Sequence, residues 1–320
     1  MKNKPIILVS GEPNSVFIEI FIKALKFKKY KSPLILICNK EILLKQSKIL
    51  GYNLKINILN LNNKNSIINN VLDKKKINLI DVKFEKKSNK INNHKYIKNC
   101  FKIAFDLIKN GTGYKLINGP INKEVFLKKK FLGITEYIAD HFKVKKFGML
   151  IFNKKLSVSL VTTHLPLSLV SKEITKKNIL KKIKLINNFY RKNFKKKPKI
   201  AITGLNPHCE SILKFNEDEK IITPAIKLSK KKGIFVSGPY PADTIFLKQN
   251  RVKFDVILGM YHDQVLTPFK TLYEYDAINI TMGLPFLRVS PDHGPNEKMI
   301  NKNLSNPQSL IRALEFLDKS

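Results

Sequence analysis

The chain has 320 residues, of which 43% are hydrophobic, and its formal net charge is +36 at pH 7. This length can bury a substantial core in one large domain or two coupled ones. No stretch approaches the roughly 18 uncharged apolar residues of a bilayer-spanning helix, and the first apolar run is too short for a secretory signal. We therefore expect a globular, cytoplasmic protein.

The positive charge is spread along the whole chain. Only four of the 60 cationic residues are arginine, and the lysines lie beside abundant Asn and Ile. A nucleic-acid site needs cations gathered on one face together with a recognition motif, and the sequence contains no such motif. We interpret the charge as a bias in residue choice and predict no specific nucleic-acid partner, although runs such as residues 195–197 can attract polyanions weakly.

The cysteines are odd in number and far apart, at Cys38, Cys100 and Cys209. None forms a C-x-x-C pair, which argues against a disulfide framework and against a cysteine zinc site. We expect three reduced thiols.

Short runs rich in β-branched residues alternate with longer helical patterns, which predicts parallel strands joined by helical crossovers in an α/β fold. The predicted strands, in chain order, are residues 6–10, 34–38, 115–118, 156–162, 200–203, 234–237, 256–259 and 277–281. The predicted helices are residues 95–109, 175–194 and the tail after Pro307, because apolar residues recur there at helical spacing. The Asn-rich stretch 59–94 predicts surface loops.

A Rossmann fold would show G-x-G-x-x-G between its first strand and the following helix. The only G-x-G is Gly111-Thr112-Gly113, which precedes a strand and lacks the third glycine. We interpret it as a plain turn. If a dinucleotide binds, its binding mode differs from the usual one.

Three of the six histidines follow predicted strands. His164 follows LVTT, His208 follows ITGLNP and His262 follows VILGMY. Because ligands gather at the carboxyl ends of strands in open α/β sheets, three neutral imidazoles could converge there and hold a divalent ion in a catalytic site. Taken singly, each histidine is more often a hydrogen-bonded loop or core residue, so both interpretations stay open.

Several segments around these histidines resemble the signature segments of one family, in the same order. They are 118–123 (NGPINK), 162–167 (TTHLPL), 204–208 (GLNPH), 238–244 (GPYPADT), 261–264 (YHDQ) and 279–288 (NITMGLPFLR), with 292–294 (DHG) continuing the last. The chain resembles the 4-hydroxythreonine-4-phosphate dehydrogenase family of pyridoxal phosphate biosynthesis, from about residue 11 to the C-terminus. Several motifs in the right order are more specific than any one of them.

The resemblance implies an isocitrate/isopropylmalate-dehydrogenase-like fold, with two α/β/α lobes around a cleft. It also implies a homodimer whose active site lies at the subunit interface. We assign residues 1–125 with 290–320 to the first lobe. Residues 126–289 are assigned to the second lobe, with the metal site and the dimer contacts.

The resemblance also implies the site residues. His164, His208 and His262 fall on the metal ligands, with the third ligand supplied across the dimer interface and with zinc, magnesium or cobalt as the ion. The substrate-binding positions are Thr135, Lys270, Asn279 and Arg288.

Fixed cations suit a phosphorylated, zwitterionic substrate, and the planar fork of arginine matches carboxylate or phosphate. Lys270 by itself would be interpreted as a solvated surface lysine. Arg288 is stronger evidence, because it is one of only four arginines and lies between apolar residues.

The reaction implied by the resemblance is the NAD- or NADP-dependent oxidation of the C3 hydroxyl of 4-phosphonooxy-L-threonine. The resulting β-keto acid loses carbon dioxide to yield 3-amino-2-oxopropyl phosphate. Asp243 and Asp263 lie beside the motifs and are candidate general bases. For each of them, helix capping or a hydrogen bond to a ligand residue is the alternative role.

The chain departs from the family pattern at three places. The glycine-rich opening loop is 11–19 (GEPNSVFIE), the segment G-H-T-E is 133–136 (GITE), and the continuation after His208 is 209–212 (CESI). Ile134 thus replaces a histidine expected to contact substrate, and isoleucine cannot donate a hydrogen bond. Two alternatives stay open: a related dehydrogenase for another phosphorylated hydroxy acid, of the 4-phosphoerythronate type, or a non-catalytic ligand-binding paralogue.

Overall fold

The computed structural model of the protein describes residues 4–60, 72–85, 90–127, 130–131, 133–210, 215–291 and 296–320. The strands in this part of the chain are β1 Ile6–Val9, β2 Leu34–Cys38, β3 Ile56–Ile58, β4 Ile77–Asp81, β5 Lys115–Asn118, β6 Gly148–Phe152, β7 Ser157–Leu160, β8 Ile200–Thr203, β9 Val236–Tyr240, β10 Val256–Gly259, β11 Ile278–Met282 and β12 Leu287–Pro291. The helices are α1 Phe17–Phe27, α2 Lys40–Ile49, α3 Lys90–Lys109, α4 Lys123–Leu127, α5 Ile134–His141, α6 Leu167–Glu173, α7 Lys176–Phe194, α8 Thr223–Lys231, α9 Ala242–Ile245, α10 Lys248–Arg251, α11 His262–Tyr273 and α12 Gln308–Lys319. None of the helices in these ranges combines the length and the apolar character needed to cross a bilayer.

The chain forms two compact units, unit 1 with Met1–Phe142 and Pro285–Ser320, and unit 2 with Lys143–Leu284. In unit 1 the strands lie in the order β3-β4-β2-β1-β5-β12. All of these neighbours pair in parallel. The central strands β1 and β2 are buried along their whole length, as expected for a parallel sheet that helices cover on both faces.

Unit 2 has the strand order β11-β6-β7-β10-β8-β9. Here β6 runs antiparallel to both of its neighbours, β11 and β7. The pairs from β7 through β10 and β8 to β9 are parallel. Three parallel strands, β7, β10 and β8, therefore end side by side at one edge of this sheet.

Aromatic packing attaches α4 and α5 to unit 1. The ring of Phe126 stacks on that of Phe101 in α3 with centroids 5.7 Å apart, and the Tyr137 ring lies 5.2 Å from Phe126 and 5.9 Å from Phe101. Burying an aromatic ring of this size contributes about 1.5–3 kcal/mol. These contacts lie within the segment of unit 1 that ends at Phe142.

The predicted α/β fold is confirmed, as are the three predicted helices. On α3, the side chains of Ile97, Phe101, Ala104 and Phe105 are buried on one face, as their spacing predicted. The predicted strand at 234–237 lies further along the chain, at Val236–Tyr240. Gly111 has a φ of 79° between α3 and β5, which confirms the plain turn.

The prediction of surface loops over residues 59–94 is wrong at two elements, whereas residues 61–71 and 86–89 lie outside the described residues. The stretch contains β4 and the first residues of α3, Lys90 onward. Strand β4 was missed because it contains a polar residue, Asn78, which is fully buried. Its amide nitrogen donates to the Leu34 carbonyl at 3.1 Å, and its amide oxygen accepts from Asn57 Nδ2 at 2.9 Å. Because both halves of the amide are hydrogen-bonded, the sheet tolerates a polar residue that the sequence pattern counted against a strand.

Candidate active site

The three predicted metal-binding histidines follow neighbouring parallel strands of unit 2. His164 comes after β7, His262 is the first residue of α11 after β10, and His208 comes after β8. Since β10 pairs with both β7 and β8, all three histidine-bearing segments leave the same edge of the sheet. This edge is the one where ligands bind in open α/β sheets.

The structure brings His164 and His262 together. Their ring centroids are 6.0 Å apart, with an angle of 38° between the ring planes. Asp263 Oδ1 lies 2.6 Å from His262 Nδ1. A carboxylate at Nδ1 holds an imidazole in the tautomer that leaves Nε2 as an acceptor, which is the arrangement of a metal-binding histidine. The two imidazoles are donors of the type that divalent ions bind in proteins.

His208 is not part of this pair. It lies in a short turn at Pro207–Cys209, where its φ is 56° and that of Cys209 is 64°. Within the described ranges, no three His, Cys, Asp or Glu side chains are grouped so that they could hold a metal ion. The predicted three-histidine set is thus brought together in part, by His164 and His262.

Two residues that the sequence analysis missed support the His208 turn. Asp218 is 1% exposed and accepts hydrogen bonds from the backbone nitrogens of Leu205 and Asn206. Gln264 joins the end of β8 to the start of α11 through both halves of its amide. Gln264 could have been found from its place in the motif YHDQ, but Asp218 lies outside every segment that the sequence singled out.

Arg288, on β12 of unit 1, is 1% exposed. Its Nε donates to Asn118 Oδ1 at 2.8 Å, and its Nη1 donates to Thr135 Oγ1 at 3.1 Å. Burial lowers the pKa of Arg288 to about 10, while the nearby Glu136 opposes this shift. The structure therefore joins two predicted substrate-binding residues, Arg288 and Thr135, at a buried positive charge, and it adds Asn118 from the motif NGPINK.

Thr135 and Ile134 begin α5 in unit 1, directly after the glycine N-cap, Gly133. The Ile134 side chain is half-buried. It lies one residue from the hydroxyl that accepts from Arg288. The apolar residue is therefore adjacent in sequence to Thr135, which is a hydrogen-bond partner of the buried cation Arg288.

The other two predicted substrate-binding residues lie in unit 2. Asn279 is on β11, where its Nδ2 donates to Met149 Sδ at 3.2 Å. Its Oδ1 is buried and has no hydrogen-bond partner among the residues that the structure describes. Lys270 lies on α11, about two turns after His262. Partial burial lowers the pKa of Lys270. An unsatisfied buried amide oxygen is costly, and a ligand that donates a hydrogen bond would remove that cost.

The candidate bases have different surroundings. Asp263 is bonded to His262 Nδ1, so in this geometry it orients an imidazole. Asp243 is exposed in the first turn of α9. Burial raises the pKa of Cys209, the charge of Asp218 adds to the shift, and Asp243 makes a smaller contribution in the same direction. The assignment of the general base stays a prediction.

A further carboxyl group, Glu12, lies at the end of β1 in unit 1 and is buried. Burial raises the pKa of Glu12, against the hydrogen bonds from the Asn122 backbone nitrogen and from Asn93 Nδ2. No role was predicted for Glu12 from the sequence. It could have been noticed because the residues Gly-Glu-Pro at the start of loop 11–19 still match the family pattern.

Residues 29–317 match the sequence model of the family described as "Pyridoxal phosphate biosynthetic protein PdxA". The chain belongs to this family. It is 37% identical over 314 residues to the 4-hydroxythreonine-4-phosphate dehydrogenase of Sulfurihydrogenibium sp. (strain YO3AOP1), a match that covers 96% of this chain and 95% of that protein. The protein of the same name from Aquifex aeolicus (strain VF5) is 33% identical over 322 residues, covering 99% and 98%.

A solved structure gives the same relationship in three dimensions. The 4-hydroxythreonine-4-phosphate dehydrogenase of Klebsiella pneumoniae superposes on this chain with a TM-score of 0.82 at 26% identity, covering 98% of each chain. The predicted fold of the PdxA family, isocitrate/isopropylmalate-dehydrogenase-like, is confirmed. The predicted family is confirmed as well.

Two segments that were compared with the PdxA family pattern lie outside the described residues. They are the segment 292–294 (DHG), which contains His293, and the residues Ser211 and Ile212 after the His208 turn. The preceding residues Cys209 and Glu210 are described. The backbone nitrogen of Glu210 donates to the Pro207 carbonyl at 3.1 Å, which closes the turn around His208.

Proposed function

We propose that this chain is a metal-dependent, NAD(P)-linked dehydrogenase that oxidises 4-phosphonooxy-L-threonine at its C3 hydroxyl. The β-keto acid formed loses carbon dioxide to give 3-amino-2-oxopropyl phosphate, a step of pyridoxal phosphate biosynthesis. One observation carries the proposal. Relatives that match this chain over nearly its whole length are named 4-hydroxythreonine-4-phosphate dehydrogenase.

The residues of unit 1 support an anionic substrate. Arg288 keeps a permanent positive charge inside the protein, and Asn118 and Thr135 hold the plane of its guanidinium group. A planar, oriented guanidinium binds phosphate or carboxylate through two parallel hydrogen bonds. In our proposal Arg288 binds one of these groups of the substrate, and Thr135 sets the angle at which it is presented.

The residues of unit 2 support a ligand with hydrogen-bond donors and a second anionic group. The unpartnered Oδ1 of Asn279 accepts a hydrogen bond from the ammonium or hydroxyl group of the substrate. Lys270 supplies positive charge, and its lowered pKa reflects the partial loss of water around its ammonium group.

His164 and His262 would hold the divalent ion, with Asp263 fixing the His262 ring. A bound divalent ion would supply Lewis-acid polarisation of the C3 hydroxyl, and a bound nicotinamide would supply the acceptor for the hydride from C3. The proton of that hydroxyl passes to a carboxylate, for which Asp243 is the candidate that is not hydrogen-bonded to a histidine ring. We further propose a homodimer whose active site lies at the subunit interface, where one of the three predicted ligands, His164, His208 and His262, is supplied by the other subunit.

The test is a steady-state assay of the purified protein with 4-phosphonooxy-L-threonine, NAD or NADP, and Zn²⁺, Mg²⁺ or Co²⁺. We expect reduced nicotinamide to form only when the divalent ion is present. His208→Ala should lose both bound metal and turnover, whereas His141→Ala, an exposed histidine in unit 1, should keep both. Stoichiometric metal in purified His208→Ala would contradict the ligand assignment.

A second candidate function is favoured by Ile134. Because this side chain replaces a hydrogen-bonding histidine of the PdxA family, a substrate without the matching acceptor would lose less binding energy. Turnover of another phosphorylated hydroxy acid, of the 4-phosphoerythronate type, in place of 4-phosphonooxy-L-threonine would select this candidate. Metal binding without turnover of either substrate would select a non-catalytic paralogue.

A further inference from the structure

The backbone of the turn that carries His208 is in an unfavourable conformation. His208 and Cys209 are consecutive residues with left-handed backbone angles, φ 56° and φ 64°, and neither is glycine. Each such residue costs free energy and persists only where surrounding contacts determine it. The sequence of this turn therefore does not explain its shape, and the explanation must lie in the residues that contact it.

Asp218 supplies the first set of contacts. It is 1% exposed, and its Oδ1 accepts from the Leu205 backbone nitrogen at 2.7 Å. Its Oδ2 accepts from Asn206 twice, from the backbone nitrogen at 3.1 Å and from Nδ2 at 2.9 Å. A side chain on Gly204 would come within 2.6 Å of Asp218 Oδ1, so the approach of the carboxylate requires glycine there. Hydrogen bonds from several donors to one buried carboxylate are strong and directional.

Gln264 supplies the second set. Its Oε1 accepts from Thr203 Oγ1 and from the Met260 backbone nitrogen, both at 2.7 Å. Its Nε2 donates to the Gly204 carbonyl, also at 2.7 Å. Gln264 stands in the first turn of α11, two residues after His262. One amide thus links the end of β8, the end of β10 and the start of α11.

We propose that Asp218 and Gln264 are positioning residues that hold the His208 turn in place at the carboxyl edge of the unit 2 sheet. Asp218 determines the path of the backbone from Gly204 to Asn206, and Gln264 ties that backbone to the helix that presents His262. The inference rests on the proposed function for the role of the histidines. The anchoring itself rests only on the hydrogen bonds above.

The experiment compares Asp218→Asn and Gln264→Met with the wild type by three measurements. They are amide hydrogen exchange over residues 204–210, affinity for Co²⁺ alone, and kcat at saturating metal. We expect faster exchange confined to this turn and a roughly 10- to 100-fold loss in Co²⁺ affinity and kcat, the usual effect of removing a partner that orients ligands. Gln264→Glu keeps the acceptor of Thr203 and Met260, so it should restore part of each loss.

Asp255→Asn is the matched control. Asp255 also accepts a backbone hydrogen bond, from Lys199 at 2.9 Å, but it precedes β10 and lies at the opposite edge of the sheet. We expect this variant to leave exchange in 204–210, Co²⁺ affinity and kcat unchanged, even if its thermal stability falls.

Wild-type exchange rates in 204–210 for both Asp218→Asn and Gln264→Met would overturn the proposal, as would faster exchange with unchanged Co²⁺ affinity and kcat. Gln264→Met decides the question if Asp218→Asn does not fold. A wild type that binds no Co²⁺ and shows no turnover would refute the proposed function. The exchange data would then still decide whether the two residues anchor the turn.

Discussion

Arg288 carries its positive charge in the protein interior, where a charged group is unfavourable. Its side chain is 1% exposed, and two of its nitrogens donate to neutral oxygens, those of Asn118 and Thr135. Taking a guanidinium out of water costs several kcal/mol, and neutral acceptors repay only part of that cost. A bound anion would repay more of it. Glu136 is a nearby negative charge that favours the charged guanidinium, and in our proposal a bound anionic group adds to its effect.

The first residue-scale prediction follows from this charge. Arg288→Ala should raise KM for the phosphorylated substrate and lower kcat/KM by about 10- to 100-fold, because a charge-assisted hydrogen bond contributes about 1.5–3 kcal/mol. Steady-state kinetics would measure both constants. Arg191→Ala, at an exposed arginine of unit 2, should behave like wild type. Equal substrate affinity in Arg288→Ala and wild type would show that Arg288 does not bind the substrate.

At the scale of elements, the parallel strands of both units explain where the candidate residues lie. In unit 2 the segments that carry His164, His208 and His262 follow three strands that are neighbours in the sheet. In unit 1, two candidate residues likewise lie on neighbouring strands. Asn118 ends β5, and Arg288 lies on β12, which pairs with β5. Residues distant in the sequence meet because the strands that position them are hydrogen-bonded neighbours.

The start of β5 contains a feature that works against stability. Lys115 is fully buried in the sheet, and in the described part of the chain its Nζ has no hydrogen-bond partner. The ammonium group lies 5.5 Å from the centroid of the Tyr114 ring, a favourable contact that offsets only part of the loss of water. Burial lowers the pKa of Lys115 from its ordinary value of 10.5, while Asp318 opposes the shift.

We predict that Lys115→Met raises the free energy of unfolding at pH 7 by about 1–2 kcal/mol, because an unpaired buried polar group costs about 1–3 kcal/mol and the ring contact offsets part of that. The pH dependence has a definite sign. In the unfolded chain Lys115 keeps its proton to higher pH, so the burial cost is full below the folded-state pKa and fades as the pH rises through it. The advantage of Lys115→Met should therefore shrink as the pH approaches 10.5.

Urea denaturation at several pH values would measure this effect. Lys102→Met is the control, since Lys102 lies on the exposed face of α3 and should change stability little. A Lys115→Met protein less stable than wild type at pH 7 would show that the ammonium group has a stabilising partner.

At the scale of the whole molecule, the charge of +36 is carried by residues dispersed through the sequence. We predict that the protein binds nucleic acids only weakly and without sequence preference, and that this binding disappears as salt rises to physiological concentration. A titration with several duplexes over a range of salt concentrations would measure it. Tight, sequence-selective binding at physiological salt would contradict the prediction.

Much of the fold was predictable because it depends on local periodicity. The apolar spacing along α3, α7 and α12 and the β-branched runs of β1, β2, β5, β8 and β10 specify elements whatever their partners are. Elements whose formation depends on contacts with distant residues were missed. Strand β4 tolerates Asn78 only because neighbouring residues form hydrogen bonds with its amide group. The antiparallel pairing of β6 with β7 and β11 likewise leaves no pattern in the sequence.

The α/β fold class and the family could be predicted from the sequence, because the alternation of strands and helices and the order of the motifs are visible along the chain. Which candidate residues meet could be seen only in the folded protein. The tertiary structure joined His164 to His262, and Arg288 to Asn118 and Thr135. It also revealed Asp218, whose role depends entirely on backbone nitrogens that it reaches in the folded state. Contacts between residues far apart in sequence arise from strand order and register, which long-range packing selects and no local pattern encodes.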